Sequence, residues 1–278
     1  MERVSKTRST VPPAQTGGNF RVTAGAGSKP APTHFMNIAY RAGAMSEPAP
    51  PQRLRHYGRR LGRKLRAGRA ALLETLLPQI QIPLEPGKAL DPRALFPQRP
   101  ARLWLEIGFG AGEHAAWQAE QNPDVGLLAA EIFVNGVASL LRHIAERGLS
   151  NIRIHPEDAR PLLAALPEAC LDRVFLLHPD PWPKARHAER RFVNPANLDA
   201  LARVMADGAE LRIASDHPVY KVWALEQMAR RRDFAWLARR AEDWRVRPKD
   251  WPETRYEHKA KGEGRTSLYL RYRRVPRD

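Results

Sequence analysis

From Arg102 onward, short apolar runs alternate with longer stretches whose apolar positions recur at helical spacing. Residues 103–107, 125–131, 151–155, 171–177 and 210–215 read as strands, each short, rich in Leu, Ile, Val and Ala, and bounded by turn-forming residues. Residues 113–121, 135–147, 160–166, 195–205 and 217–230 read as helices, the second stopped at Gly148. Stretches near 234–239 and 267–273 are expected to finish the sheet as an antiparallel edge. The alternation predicts an α/β fold, a doubly wound, mostly parallel sheet of seven strands joined by right-handed crossovers. No internal repeat is present. Ligands of such sheets sit outside the carboxyl ends of the strands, and acids recur at those ends: Glu106, Glu131, Asp158, Asp180 and Asp216.

The first hundred residues lack this alternation. Residues 1–50 are rich in Pro, Gly, Ala, Ser and Thr, hold Glu2 as the only acid before Glu47, and are expected to form a disordered basic extension. Residues 51–100 read as a basic arm, a helix and a Pro-rich linker. The arm, from Arg53 to Arg66, is interrupted by Tyr57, Gly58 and Gly62, which predicts an extended segment. It is either a solvated face or a surface for phosphates. The helix is expected over 69–77 with Pro78 as its stop, and 80–100 as a linker laid over the domain that fills 101–278.

Composition narrows the partner. The formal net charge is +16, from 46 Lys and Arg against 30 Asp and Glu, which favours a polyanion: nucleic acid first, an anionic membrane surface second. No apolar run approaches the roughly 18 residues of a membrane span, and no secretory apolar segment follows Met1, so a cytoplasmic location is expected. A lone cysteine, Cys170, excludes a disulfide framework and a cysteine-based zinc site. It reads as a small buried hydrophobe.

The first strand runs into Gly108-Phe109-Gly110-Ala111-Gly112, and a helix follows. Strand, glycine loop and helix open a nucleotide-binding βαβ unit. The spacing is G-x-G-x-G and not the G-x-G-x-x-G of dinucleotide enzymes. Glu106, just before the loop, would repel a pyrophosphate and welcome a cation. S-adenosylmethionine, with a sulfonium, an ammonium and no phosphate, fits that site; an ordinary tight turn is the alternative. Glu131 stands 19 residues after Gly112, where an acid grips ribose hydroxyls or caps a helix. Asp158 is open between accepting adenine amino hydrogens and capping the next helix.

The fourth strand ends in His178-Pro179-Asp180-Pro181-Trp182-Pro183-Lys184, followed by Arg186-His187-Ala188-Glu189-Arg190-Arg191-Phe192. The prolines stiffen a loop that presents a carboxylate and an indole. An indole to stack on, an acid for base N–H groups and arginines for phosphates together suit a nucleobase swung out of its helix.

The sequence resembles the bacterial tRNA (guanine-N7)-methyltransferases. The resemblance rests on Glu106 to Gly112, on Pro179 to Lys184 with the Arg186-His187 and Arg190-Arg191 tail, on Ala214-Ser215-Asp216, and on Thr254-Arg255-Tyr256-Glu257 with Lys261-Gly262-Glu263-Gly264 after it. It covers about residues 59–273. It implies a class I, Rossmann-like methyltransferase fold and transfer of a methyl group from S-adenosylmethionine to N7 of a guanosine in the variable loop of tRNA. By the same resemblance Glu106, Glu131 and Asp158 bind S-adenosylmethionine beside the loop of Gly108, Gly110 and Gly112. Asp180 is then the catalytic acid, close to the cofactor as well, and Lys184, Asp216, Thr254, Arg255, Tyr256 and Glu257 bind the guanosine. His178 departs from the pattern, which leads one to expect an aromatic residue there.

Guanine N7 keeps a free lone pair at neutral pH, so no base is needed to create the nucleophile. Asp180 is expected to orient the base and balance the charge that develops on it. Neither a metal site nor a covalent nucleophile is expected, and His114, His143 and His155 read as structural. Three other readings compete. An amino-directed methyltransferase acting on DNA or protein would share Asp180-Pro181-Trp182 but normally has a second adjacent proline. An RNA-binding protein with a vestigial fold would not need the intact acids. A dinucleotide oxidoreductase is disfavoured by the glycine spacing and by Glu106. Monomer and homodimer stay equally open.

Overall fold

The computed structural model describes residues 58–277. The expected extension over 1–50, and the start of the arm at 51–57, lie outside the described residues. Five strands, β1 (Arg102–Ile107), β2 (Val125–Ala130), β3 (Ile152–His155), β4 (Leu171–Leu177) and β5 (Met205–Ser215), pair in parallel. Two more, β6 (Phe234–Trp236) and β7 (Leu268–Arg274), complete the sheet in the order β3-β2-β1-β4-β5-β7-β6. The last strand in sequence, β7, is antiparallel to both neighbours and separates β6 from β5. This is the doubly wound sheet of seven strands that the sequence predicts. Strand order reverses between β1 and β4, so the chain parts there and opens a crevice at the carboxyl ends.

Helices cover both faces. α1 (Ala67–Thr75) and α2 (Leu77–Ile80) precede the sheet; α3 (Glu113–Gln121) and α4 (Val134–Arg147) follow β1 and β2. On one face, Ala115 and Ala119 of α3 and Val137, Leu140 and Leu141 of α4 pack on Trp104, Leu127 and Phe175, with Leu72 and Leu76 outside them. On the other, α5 (Ala159–Ala165), α6 (Pro195–Val204) and α7 (Pro218–Ala229) bring Leu162, Leu198, Leu201, Tyr220 and Met228 onto Leu103, Leu105 and Val174. Alternate residues of β1 thus feed opposite cores, which is why its run Leu103 to Leu105 is continuously apolar. α4 ends at Gly148, in the left-handed region (φ 63°), whose N–H closes on Ile144 O.

Four features differ from the sequence expectation. Pro78 does not end the helical region; it occupies the first turn of α2, where its missing N–H is harmless. β5 starts five residues early, at Met205, through a register shift opposite Leu171 and Arg173 that Gly208 (φ 82°) accommodates. Two helices were not foreseen: α8 (Glu242–Arg245) and α9 (Arg255–Gly262). Residues 81–100 cover the exposed edge of β3. There Ile82 N–H donates to Ile154 O (2.8 Å), and the Phe96 ring lies under the Arg153 guanidinium, 4.7 Å away. Cys170, half-buried before β4, has its thiol pushed up to about 11 by burial.

Candidate active site

The crevice is a cleft of about 450 Å³. β1 delivers Glu106 and the glycine loop, β2 leads directly into Glu131, β3 leads to Asp158, β4 leads to Asp180 and Trp182, and the start of α9 adds Thr254 and Tyr256. Of the residues singled out in the sequence, it gathers Glu106, Gly108, Gly110, Glu131, Asp158, Asp180, Thr254 and Tyr256. Gly112, Lys184, Asp216, Arg255 and Glu257 lie outside its lining.

The glycines divide the labour. All three have positive φ: 72° at Gly108, 55° at Gly110 and 78° at Gly112. A Cβ on Gly108 would enter open space in the cleft, whereas on Gly112 it would meet Leu140 at 2.6 Å. Gly108 therefore leaves room for a ligand, and Gly112 lets the loop pack on α4. Gly136 completes the fit: a Cβ there would stand 2.1 Å from Gly110 O. The sequence reading passed over Gly136. An isolated glycine inside a helical pattern was the available signal.

Glu106 and His114 form an interior pair. Both are almost fully buried, and His114 Nδ1 donates to Glu106 Oε2 at 2.8 Å. Gln118 Nε2 donates to Asp250 O (2.9 Å) and lies 3.1 Å from His114 Nε2, so both ring nitrogens of His114 have a partner. Spacing alone did not reveal this; His114 is structural in effect, but it fixes the carboxylate at the end of β1.

Glu131 is gripped by backbone. Its oxygens accept from Gly110 N (2.8 Å) and Phe133 N (2.9 Å), which ties the glycine loop to the start of α4. Burial raises its pKa; the backbone N–H groups of Phe133, Gly110 and Ile132 oppose that, and nearby Asp180 adds to it. The carboxylate keeps acceptor capacity for a hydroxyl. Asp158 lines the cleft and also caps α5. It accepts from Arg160 N (2.8 Å) and binds the same guanidinium through both oxygens (2.9 and 2.8 Å). Of the two roles left open by the sequence, the cap of α5 is the one the side chain makes here.

Asp180 reaches solvent at the cleft mouth while protein crowds its carboxyl on the other sides, and that desolvation raises its pKa. The backbone around it is strained: His178 (φ 48°) and Trp182 (φ 42°) both adopt the left-handed region, and each precedes a proline. Arg191 holds the loop. Nearly buried and stacked 4.6 Å from Trp223, it donates to Pro181 O (3.1 Å) and Trp182 O (2.9 Å). This corrects the expectation that the arginine tail meets phosphates, as far as Arg191 is concerned. Arg190 instead lies 5.1 Å over the Trp182 ring at the cleft wall.

The residues implied for the substrate separate by role. Thr254 caps α9, its hydroxyl accepting from Glu257 N at 3.3 Å, in the T-x-x-E pattern of a capping box. That pattern was the unread signal for α9. Glu257 points inward and accepts from the Tyr269 hydroxyl. Arg255 pairs with Glu113. Tyr256 stands over Gly110, where a Cβ would lie 3.2 Å from its ring, and its phenol pKa is raised by burial, with Glu131 and Asp180 contributing. Asp216 binds Arg265 and, at 3.3 Å, His178 Nδ1. Lys184 is exposed beyond the loop.

Residues 100–270 match the family described as "Putative methyltransferase". The chain is 52% identical over 231 residues to the tRNA (guanine-N(7)-)-methyltransferase of Rhodospirillum rubrum, covering 82% of this chain and 91% of that one. It is 51% identical to the protein of the same name from Zymomonas mobilis (80% and 94% covered) and 48% identical to that of Paramagnetospirillum magneticum (82% and 96%). The chain belongs to the tRNA (guanine-N(7)-)-methyltransferase family. That family accounts for the coexistence of a G-x-G-x-G loop with strand-end acids, and the competing readings of the sequence fall away. Among the described residues no group of His, Cys, Asp and Glu is arranged to hold a metal ion, and no helix is long and apolar enough to cross a membrane.

Proposed function

We propose that the cleft binds S-adenosylmethionine along the ends of β1, β2 and β3 and presents it to a guanosine of tRNA held over Asp180. The observation that carries this reading is the lining itself: carboxylates end three successive strands, and the glycine loop offers open space at Gly108 with no Lys or Arg in the loop. Such a donor set suits a cationic nucleoside without phosphates. Glu106, fixed by His114, faces the cationic end; Glu131 receives the ribose hydroxyls on its remaining lone pairs; Asp158 and its Arg160 partner border the adenine. The cofactor would supply a methyl group on a sulfonium: the N7 lone pair forms the new N–C bond as the S–C bond breaks, and neutral S-adenosylhomocysteine is the leaving group.

The chain's own residues position and balance charge. Trp182 and Tyr256 offer ring surfaces at the mouth for a base turned out of its stack. Asp180 accepts from the donors of the guanine edge and lies against the positive charge that grows on the ring. Thr254, Arg255, Glu257 and Asp216 act on the substrate through the frame they build around Tyr256 and His178, and Lys184 stands outside, placed for RNA phosphate. The enzyme works in the cytoplasm on the variable loop of tRNA. Nucleoside analysis of tRNA after incubation with the protein and labelled S-adenosylmethionine tests this: label in N7-methylguanosine is expected, and label in an exocyclic amino group, or none, rejects it.

A further inference from the structure

The basic arm does not leave the domain freely. Gly62 N–H donates to Asn135 Oδ1 (2.8 Å), Asn135 Nδ2 donates to Arg63 O (2.7 Å), and Val134 N–H donates to Arg60 O (2.9 Å). One side chain at the start of α4 thus takes the arm's backbone with both ends of its amide. The arm's glycines permit the approach. A Cβ on Gly62 would lie 2.8 Å from Asn135 and 2.9 Å from Phe133; on Gly58 it would lie 2.3 Å from Ile132. Gly58 and Arg59 go on to line the cleft, and Asp180 Oδ2 is 3.9 Å from the Cβ position of Gly58. On the other side of the clip, Arg63, Lys64, Arg66, Arg69 and Arg142 border a recess of about 740 Å³ between the arm, α1 and α4. No acid lines it among the described residues, although Arg142 pairs with Glu146 at 3.2 Å.

We propose that Asn135 is a positioning residue for the RNA. It clips the arm so that Arg59, Arg60, Arg63 and Lys64 are held in one frame with Asp180, and backbone phosphates are gripped in register with the target base. An unclipped arm would have to be ordered when RNA binds, at the expense of affinity. The inference rests on the reading of the cleft as the methyl-transfer site. It concerns a residue that touches neither the reacting atoms nor a phosphate.

The test compares Asn135→Ala and Gly62→Ala in the wild-type arm and in an arm carrying Arg59→Ala, Arg60→Ala, Arg63→Ala and Lys64→Ala. Steady-state methylation of tRNA, calorimetry with S-adenosylhomocysteine and thermal melting are read for each. Loss of two backbone contacts is expected to raise KM for tRNA about five- to tenfold. Affinity for S-adenosylhomocysteine and the melting temperature should stay near wild type. Gly62→Ala should reproduce the effect from the other side of the clip. In the neutralised arm either substitution should add less than about twofold, because the two act through one element. An unchanged KM, an equal loss in both backgrounds, or a matching loss of S-adenosylhomocysteine affinity overturns the proposal. If the wild-type protein methylates no tRNA, the fault lies with the proposed function, and filter binding of tRNA by the same variants then decides on Asn135.

Discussion

His178 and Trp182, two residues to either side of Asp180, both carry strained positive-φ backbones, and the carboxyl between them is crowded enough to raise its pKa. Such strain costs of order 1–3 kcal/mol per residue and persists only where the surroundings enforce it. The consequences for activity and stability have opposite signs. A pKa raised in the folded state contributes stability below the ordinary aspartate value, and that contribution is lost as pH rises through the raised value. At neutral pH the ionised carboxylate is therefore a burden on the fold. Asp180→Asn should melt at a higher temperature than wild type at neutral pH, and the gap should close on acidification. Its kcat should nevertheless fall by ~10²–10³, the usual loss of one preorganised electrostatic partner. Raising the pH should not rescue it, because N7 has no proton to surrender, whereas a general-base role predicts partial rescue. Near-wild-type turnover would leave the loop as scaffold. Glu131 offers a second residue-scale test. Glu131→Ala should weaken S-adenosylhomocysteine by about 1–3 kcal/mol in calorimetry, as charge-assisted bonds to hydroxyls are lost. Unaltered affinity would remove Glu131 from the cofactor site.

At the scale of elements, the Asp180 loop stands or falls with Arg191. Its planar fork reaches two carbonyls while its face stacks on Trp223, and an ammonium can do neither at once. Arg191→Lys should destabilise the fold by about 1–3 kcal/mol, the cost of buried groups left unpaired. It should also lower kcat more than it weakens S-adenosylhomocysteine. Equal effects on both would place Arg191 in the general core. This role was invisible in the sequence, where Arg191 is one cation among several. The strands, by contrast, were legible because burial on both faces leaves a continuous apolar run, whereas the order of the strands in the sheet was not. Four of the strand-end acids, Glu106, Glu131, Asp158 and Asp180, were legible for the same reason, since a charged residue at the end of such a run faces the crevice; Asp216 instead pairs with Arg265 and His178. Roles set by long-range partners were not. The family resemblance implies a guanosine-binding role for Glu257, yet its side chain turns inward to Tyr269. His114 looks idle, yet it fixes Glu106. Pro78 looks like a stop and is a start, since a proline's effect depends on which helix claims it.

The whole molecule carries a net charge of +16, and the described arm gathers part of that charge on one side of the cleft. Charge alone would draw RNA to any basic face, and such non-specific attraction falls with salt according to the number of phosphates neutralised. The arm's contribution can be separated because its cations are few and identified. Arg59, Arg60, Arg63 and Lys64 lie on the backbone stretch that runs from the cleft to the recess. If all four meet phosphate, replacing them with alanine should reduce the log–log salt slope of tRNA binding by roughly 0.7–0.9 per contact, about three in all. The apparent KM should rise most at low ionic strength and converge on wild type as screening shortens the reach of the remaining charges. Turnover at saturating tRNA should change little, since none of the four is needed to hold Glu131 or Asp180 in place. A slope that stays unchanged while KM rises would mean that the arm acts by shape at the cleft mouth, through Gly58 and Arg59, and not by counterion release. An unchanged slope with unchanged KM would make the arm a solvated face and move the RNA surface elsewhere on this cationic molecule.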